Sequence, residues 1–210
     1  FSPSSLSNYI RNPIDFYKQN LLHINDVLQV EETLAPNTFG TIVHDSLEEL
    51  YAPLVGINLT VELLNGIKKN IPQIVSLNFE KTYKEGNISS GKNYISFHVI
   101  LKYIQTFIDA EISALNDHSI KIIALEQSLS VPLQISGLDF PIILKGKLDR
   151  IDEFDGITRI IDYKTGKVER RNVEIMDWDI LTEEYQYSKA FQLLFYGLMY
   201  FKTNPKENLS

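Results

Sequence analysis

Asp155-Gly156 stands between two apolar, β-branched runs, and no other feature restricts the folds open to this chain as strongly. Both central positions of a two-residue type I′ turn need positive φ, which this dipeptide tolerates. A hairpin closed by that turn sets Phe154 against Ile157, and the same register carried backwards places Asp149 directly opposite Asp162. Directly opposed Cβ atoms lie ~4.5–5.5 Å apart. At that distance two carboxylates repel unless a cation lies between them. Lys164, two residues beyond Asp162, points to the same face. Charges on a hairpin are most often its solvated side, and a loop one residue longer would undo the opposition. Here the flanks are apolar, Ile142-Ile143-Leu144 before Asp149 and Ile160-Ile161 before Asp162, so central strands carrying buried charge are expected. Buried acidic pairs commonly mark functional sites. Oxygen ligands for a divalent cation, with an ammonium beside them, are what phosphodiester hydrolysis requires.

The hairpin belongs to a β-rich stretch with runs at Ile120 to Val131, Leu138 to Ile151 and Thr158 to Tyr163, joined by Ser136-Gly137 and Asp155-Gly156. Before it the chain reads as helices: Ser4 to Tyr9, Pro13 to Leu22, a helix capped by Asn37 or Thr38 and running to Tyr51, Thr60 to Lys84, and Tyr94 to Leu115. Phe39, Val43, Leu47 and Leu50 are spaced as one buried stripe. The polar segment Glu85 to Lys92 is the expected flexible loop. After the hairpin a polar stretch leads into an apolar helix from Glu183 to about Phe201. This order predicts one α+β domain over residues 1–210, with a helical N-terminal half and a central mixed sheet flanked by helices.

Composition narrows the function classes. No apolar run approaches the roughly 20 residues that span a bilayer, so no membrane partner is expected. The chain contains 0 cysteines, which removes iron–sulfur clusters, thiolate zinc sites and cysteine nucleophiles, and fits a reducing, cytoplasmic location. A formal charge of −7, from 20 basic and 27 acidic residues, is the wrong sign for tight nucleic-acid binding by charge alone. A carboxylate site filled by divalent cations escapes part of that objection.

Four motifs then occur in order: Gly40-Thr-Ile-Val-His44, Gly146-Lys-Leu-Asp-Arg-Ile-Asp152, Ile161-Asp-Tyr-Lys-Thr-Gly166 and Gln192-Leu-Leu-Phe-Tyr196. Together they resemble the PD-(D/E)XK nucleases, and within them the nuclease domains of RecB/AddB-type helicase–nucleases. The resemblance implies a restriction-endonuclease-like α/β/α core. It implies that Asp149, Asp162 and the backbone carbonyl of Tyr163 ligate Mg²⁺, with Mn²⁺ as substitute, and that Lys164 is the catalytic lysine. His44 would be the motif histidine at the metal, with Gly40 one turn earlier permitting close approach and Glu48 one turn later orienting the ring. Glu126, on the strand before the hairpin, stands where related enzymes often place an acidic residue, although a solvated strand glutamate would look the same. Gln192 and Tyr196 share one helix face, with Lys189 alongside, and the family uses such a pair near the active site and DNA. Phe191, Phe195 and Tyr200 on that helix read as core.

One departure from the pattern stands near the start, where many relatives have a Cys-Pro cluster ligand and this chain has Asn12-Pro13. The cluster is therefore not expected, and packing of Leu6, Tyr9, Phe16 and Tyr17 has to hold the segment. The resulting expectation is a metal-dependent deoxyribonuclease, an exonuclease of the RecB/AddB type serving DNA repair or recombination, with DNA as substrate and a helicase as partner or parent protein. The alternatives are a catalytically inactive nuclease fold that binds DNA or braces a helicase, and an α+β interaction module with a chance charged hairpin.

Overall fold

The computed structural model describes residues 1–24, 34–83 and 90–205. The loop expected at Glu85 to Lys92 lies mostly outside them, and Lys92 itself falls in a helix. No helix among the described residues is long and apolar enough to cross a membrane.

The helical first half begins with α1 (Pro3–Arg11) and α2 (Pro13–Phe16). Ser2 and Ser5 cap α1 reciprocally, each side chain accepting from the other's backbone N–H at 3.1 and 2.8 Å. Asn12 caps α2, its side-chain Oδ1 accepting from Ile14 N at 3.1 Å, so the Asn12–Pro13 step ends one helix and starts the next. A π-helical turn, Tyr17–Leu21, continues α2. Tyr9 packs edge-on to Phe16 with ring centroids 5.4 Å apart, and both Tyr9 and Tyr17 keep about half of their surface exposed.

Helix α3 (Pro36–Tyr51) starts ahead of the expected caps, because Pro36 at the first turn needs no N–H partner and Ala35 is the N-cap. Val43, Leu47 and Leu50 of the expected stripe are buried, and Phe39 is half-buried against the same core. The single helix expected from Thr60 to Lys84 is two, α4 (Val61–Lys68) and α5 (Ile71–Thr82). Pro72 explains the break, since its ring would meet the carbonyl of Lys68 in a continuous helix. Then comes α6 (Gly91–Ala114).

Strands β1 (Ile120–Leu133), β2 (Ile142–Phe154) and β3 (Ile157–Ile161) form a sheet in the order β1-β2-β3. The α+β class is as expected; the sheet among the described residues is three-stranded and antiparallel, successive strands being joined by short connections and not by helical crossovers. Strand β2 starts at Ile142, later than expected, because the turn around Gly137 extends to Pro141. Asp155 and Gly156 take φ of 51° and 83°, the positive values the turn requires, and the ladder runs from Phe154↔Ile157 to Arg150↔Ile161. Asp155 also anchors the turn, accepting from Ser119 N at 2.8 Å and lying 2.7 Å from His118 Nδ1. The last helix, α7 (Ser188–Thr203), starts five residues later than expected, after a 3-10 turn at Tyr185–Tyr187.

The chain groups into two compact units. The first comprises residues 1–28, 127–148 and 167–209, and the second residues 29–126 and 149–166 with 210, so β1 and β2 contribute to both. In the second unit α3, α5 and α6 bury Ile42, Leu50, Val75, Phe79, Ile100, Ile104 and Ile108 together with Ile120 and Ile122 of β1.

Beside this apolar core lies a buried ionic network. Arg150 of β2 is 0 % exposed and reaches Glu111 Oε1 of α6 at 2.7 Å and Asp152 Oδ2 at 2.6 Å. Its guanidinium also lies over the ring of Tyr51 of α3, 5.2 Å from the centroid. The Tyr51 hydroxyl donates to Glu111, and Arg159 of β3 grips Asp152 through two bonds of 2.9 and 3.0 Å. Burial would lower the Arg150 pKa, but Glu111 and Asp152 beside it hold the guanidinium charged and raise it. Removing one member of a buried pair strands the others without a partner. Arg150→Met is therefore expected to lower the unfolding free energy by about 3–5 kcal/mol in urea titrations; a loss under about 1 kcal/mol would show that these contacts contribute little to stability.

Candidate active site

Three elements bring potential ligands together in the second unit. His44 comes from α3, Glu126 from β1 and Asp149 from β2, and one ligand atom of each lies within 4.8 Å of the others. The His44 Nδ1 sits 3.5 Å from Asp149 Oδ2 and 4.0 Å from Glu126 Oε1. Its Nε2 lies 2.9 Å from the carbonyl oxygen of Tyr163, and the Tyr163 N–H donates to Asp149 Oδ2 at 2.7 Å. The ring is thus positioned by Tyr163 and Asp149, the role expected of Glu48. With acceptors facing both nitrogens, the imidazolium form is favoured. The His44 pKa is raised, chiefly by its hydrogen bond to Asp149; burial opposes this, while the charges of Asp149 and Glu126 and the Tyr163 carbonyl add to it.

Glu126 has φ of 48° inside a strand, a left-handed conformation that non-glycine residues rarely adopt. Such a residue persists only where its surroundings hold it, as bulges beside functional sites do. Nothing in the local sequence, Leu125-Glu126-Gln127, announces it.

Asp162 lies one residue beyond β3, where the ladder has already ended. Its largely buried carboxylate is ion-paired with Lys164, and it is not part of the group formed by His44, Glu126 and Asp149. Burial raises its pKa; Lys164 pulls it down, Asp149 adds to the rise and His44 opposes it. Asp162 and Lys164 open onto a cavity of about 270 Å³ with apolar walls from Val43, Leu47, Tyr103 and Phe107.

The glycines play different parts from those expected. A Cβ on Gly40 would meet Thr165 Oγ1 at 3.5 Å, an ordinary contact, so close approach is not what places glycine there. A Cβ on Gly146 of β2 would instead lie 2.9 Å from Tyr196 Cε1 and 3.2 Å from Met199 Sδ of α7. The missing side chain lets Tyr196 lie on the strand within the first unit. Tyr196 is buried there, and its hydroxyl accepts from Gln192 Nε2 at 2.9 Å. Lys189, one turn earlier, donates to the Lys167 carbonyl at 2.6 Å. Phe195 and Tyr200 are buried and Phe191 is half-buried, matching their reading as core.

Sequence reasoning missed Glu111, Arg150 and Asp152. The signal was present in the second motif, where alternation along β2 puts Arg150 and Asp152 on the face opposite Asp149.

One imidazole and two carboxylates converging from a helix and two strands define a mixed nitrogen and oxygen donor set suited to a divalent cation. The chain belongs to the PD-(D/E)XK nuclease superfamily, whose family model matches residues 1–209. Nucleases of this superfamily use divalent metals. No curated protein matches the chain.

Millimolar Mn²⁺ should raise the melting temperature of the wild-type protein, because a ligand that binds only the folded state stabilises it. Asp149→Ala and His44→Ala should remove most of that rise; an unchanged rise in both variants would refute the grouping. Because binding at Nδ1 must displace a proton whose pKa is raised, Mn²⁺ affinity should fall as pH drops through that pKa. In the first unit, Gly146→Val should cost about 1–3 kcal/mol through overpacking against Tyr196, and an unchanged denaturation midpoint would contradict the contact.

Proposed function

We propose that this chain is a metal-dependent deoxyribonuclease that hydrolyses phosphodiester bonds, an exonuclease of the RecB/AddB type working with a helicase in DNA repair or recombination in the cytoplasm. The observation that carries the nuclease reading is the Asp162–Lys164 ion pair next to the cluster of His44, Glu126 and Asp149. The order and spacing of the four motifs support the finer assignment.

The donor set fits the cation such an enzyme needs. His44, Glu126 and Asp149 would hold it, with Asp162 and the Tyr163 carbonyl as further ligands. Mg²⁺ prefers an all-oxygen shell, whereas imidazole suits transition metals, so this set favours Mn²⁺ over Mg²⁺ in affinity. When bound, the cation supplies positive charge at the phosphate oxygens and lowers the pKa of water. The protein supplies the rest. Asp162 holds the Lys164 ammonium at the mouth of the cavity, where it can stabilise negative charge developing on phosphorus-bound oxygen. Asp149 keeps two bonds to the protein, from Tyr163 N–H and His44, which fix the orientation of its carboxylate. Gln192, Tyr196 and Lys189 of α7 are assigned to substrate contact on the strength of their motif.

Incubation with end-labelled single- and double-stranded DNA in Mg²⁺, Mn²⁺ or EDTA tests reaction and substrate together. Cleavage that needs metal is expected. No cleavage under any condition would leave a nuclease fold that binds without cutting. Lys164→Ala should lower single-turnover cleavage by about 100-fold or more, as loss of a charge-stabilising donor does. Its Mn²⁺ affinity should hold or rise slightly, because the lysine repels the metal at short range. Normal cleavage, or loss of metal together with activity, would remove the role given to Lys164.

A further inference from the structure

We propose that the exposed face of α6 is a stacking track for an unpaired nucleotide strand, leading to the cavity beside Asp162 and Lys164. The proposal rests on the nuclease reading and names the form of the substrate.

The inner face of α6 is committed to the core through Ile100, Ile104 and Ile108. Its outer face exposes rings, Tyr94 at 47 % and Tyr103 at 49 %, along a shallow groove of about 470 Å³ that His98 and Lys102 also line. Tyr94, His98 and Lys102 are four residues apart and so lie in one row along the helix. The Tyr94 and His98 rings are neighbours, with centroids 4.3 Å apart and planes at 61°. Tyr103 lines both this groove and the cavity that holds Asp162 and Lys164, so its ring borders the two.

Charge points to the same occupant. From Gly91 to Ile108 the helix carries Lys92 and Lys102 and no acidic residue, in a chain that has 27 acids. Ile95 and Val99 also line the groove, but an apolar protein partner would gain nothing from the Lys102 ammonium beside Tyr103. A nucleotide strand uses both, because rings stack on bases and cations meet phosphates. The nine steps from Tyr94 to Tyr103 rise roughly 13–14 Å at ~1.5 Å each, the length of about four nucleotides stacked at ~3.4 Å. Duplex DNA hides its base planes, so the track suits a single strand.

The test is fluorescence anisotropy with a labelled oligothymidylate and a blunt duplex of equal length, both in EDTA so that nothing is cut. Tyr94→Ala/His98→Ala should weaken single-strand binding at least about fivefold, the effect of losing one stacking contact, while the duplex changes less. Lys102→Glu, a single change at an exposed position, should weaken single-strand binding and flatten its salt dependence. Circular dichroism melting confirms that each variant is folded. Unchanged single-strand affinity in both variants, equal loss on the duplex, or no single-strand binding by the wild type would overturn the track. If the wild type binds single strands through this face and cuts none, the track stands and the nuclease reading falls; if it cuts DNA and the α6 variants bind normally, the track alone falls.

Discussion

A guanidinium with no solvent contact needs anions brought to it, and Arg150 has two, Glu111 and Asp152. Glu111 arrives on α6, Asp152 stands two residues along β2, and Arg159 on β3 shares Asp152. Tyr51 on α3 completes the enclosure, covering the guanidinium with its ring and donating to Glu111. Burying charge is costly unless every member is satisfied, so these elements have little freedom to slide past one another. Asp149 precedes Arg150 on the same strand and so points to the opposite face. Fixing Arg150 therefore fixes Asp149, and through α3 it fixes His44, seven residues before Tyr51.

The site on that opposite face is assembled from residues that each satisfy another constraint. Asp149 accepts the Tyr163 N–H just beyond the ladder, where a strand hydrogen bond would otherwise be missing. His44 spends both ring nitrogens on acceptors. Glu126 reaches the group only through a left-handed backbone. In the metal-free protein the imidazolium offsets part of the negative charge of Glu126 and Asp149, and the Lys164 ammonium does the same for Asp162. A cation entering the group takes over the first of these roles, which ties metal binding to proton release.

What could be read in advance followed the range of the interaction. The Asp155-Gly156 turn is settled by two φ angles, and the ladder it starts agrees with the register read from the sequence. Carried one step further, the same register would set Asp149 opposite Asp162, with Lys164 on the same face. The ladder itself ends at Arg150↔Ile161, and Asp162 just beyond it pairs with Lys164 two residues away. The break between α4 and α5 was signalled by Pro72, a local cue that apolar periodicity outweighed. Glycine was harder to interpret: Gly40 and Gly146 both stand in motifs, and only packing shows that Tyr196 leaves no room for a Cβ at Gly146.

By itself the sequence determined the α+β class, the hairpin and its register, and which residue types could bind metal, because turn chemistry, alternation and side-chain pKa values act over a few residues. Tertiary structure alone decided that Glu126 meets His44 and Asp149 in space, and that Arg150 is the buried charge around which α3, α6 and the hairpin are set. Those partners lie 39, 60 and 82 residues apart, as the pairs Glu111–Arg150, Tyr51–Glu111 and His44–Glu126 show. No local rule brings such groups together; only the shared burial of α3, α6 and the sheet does.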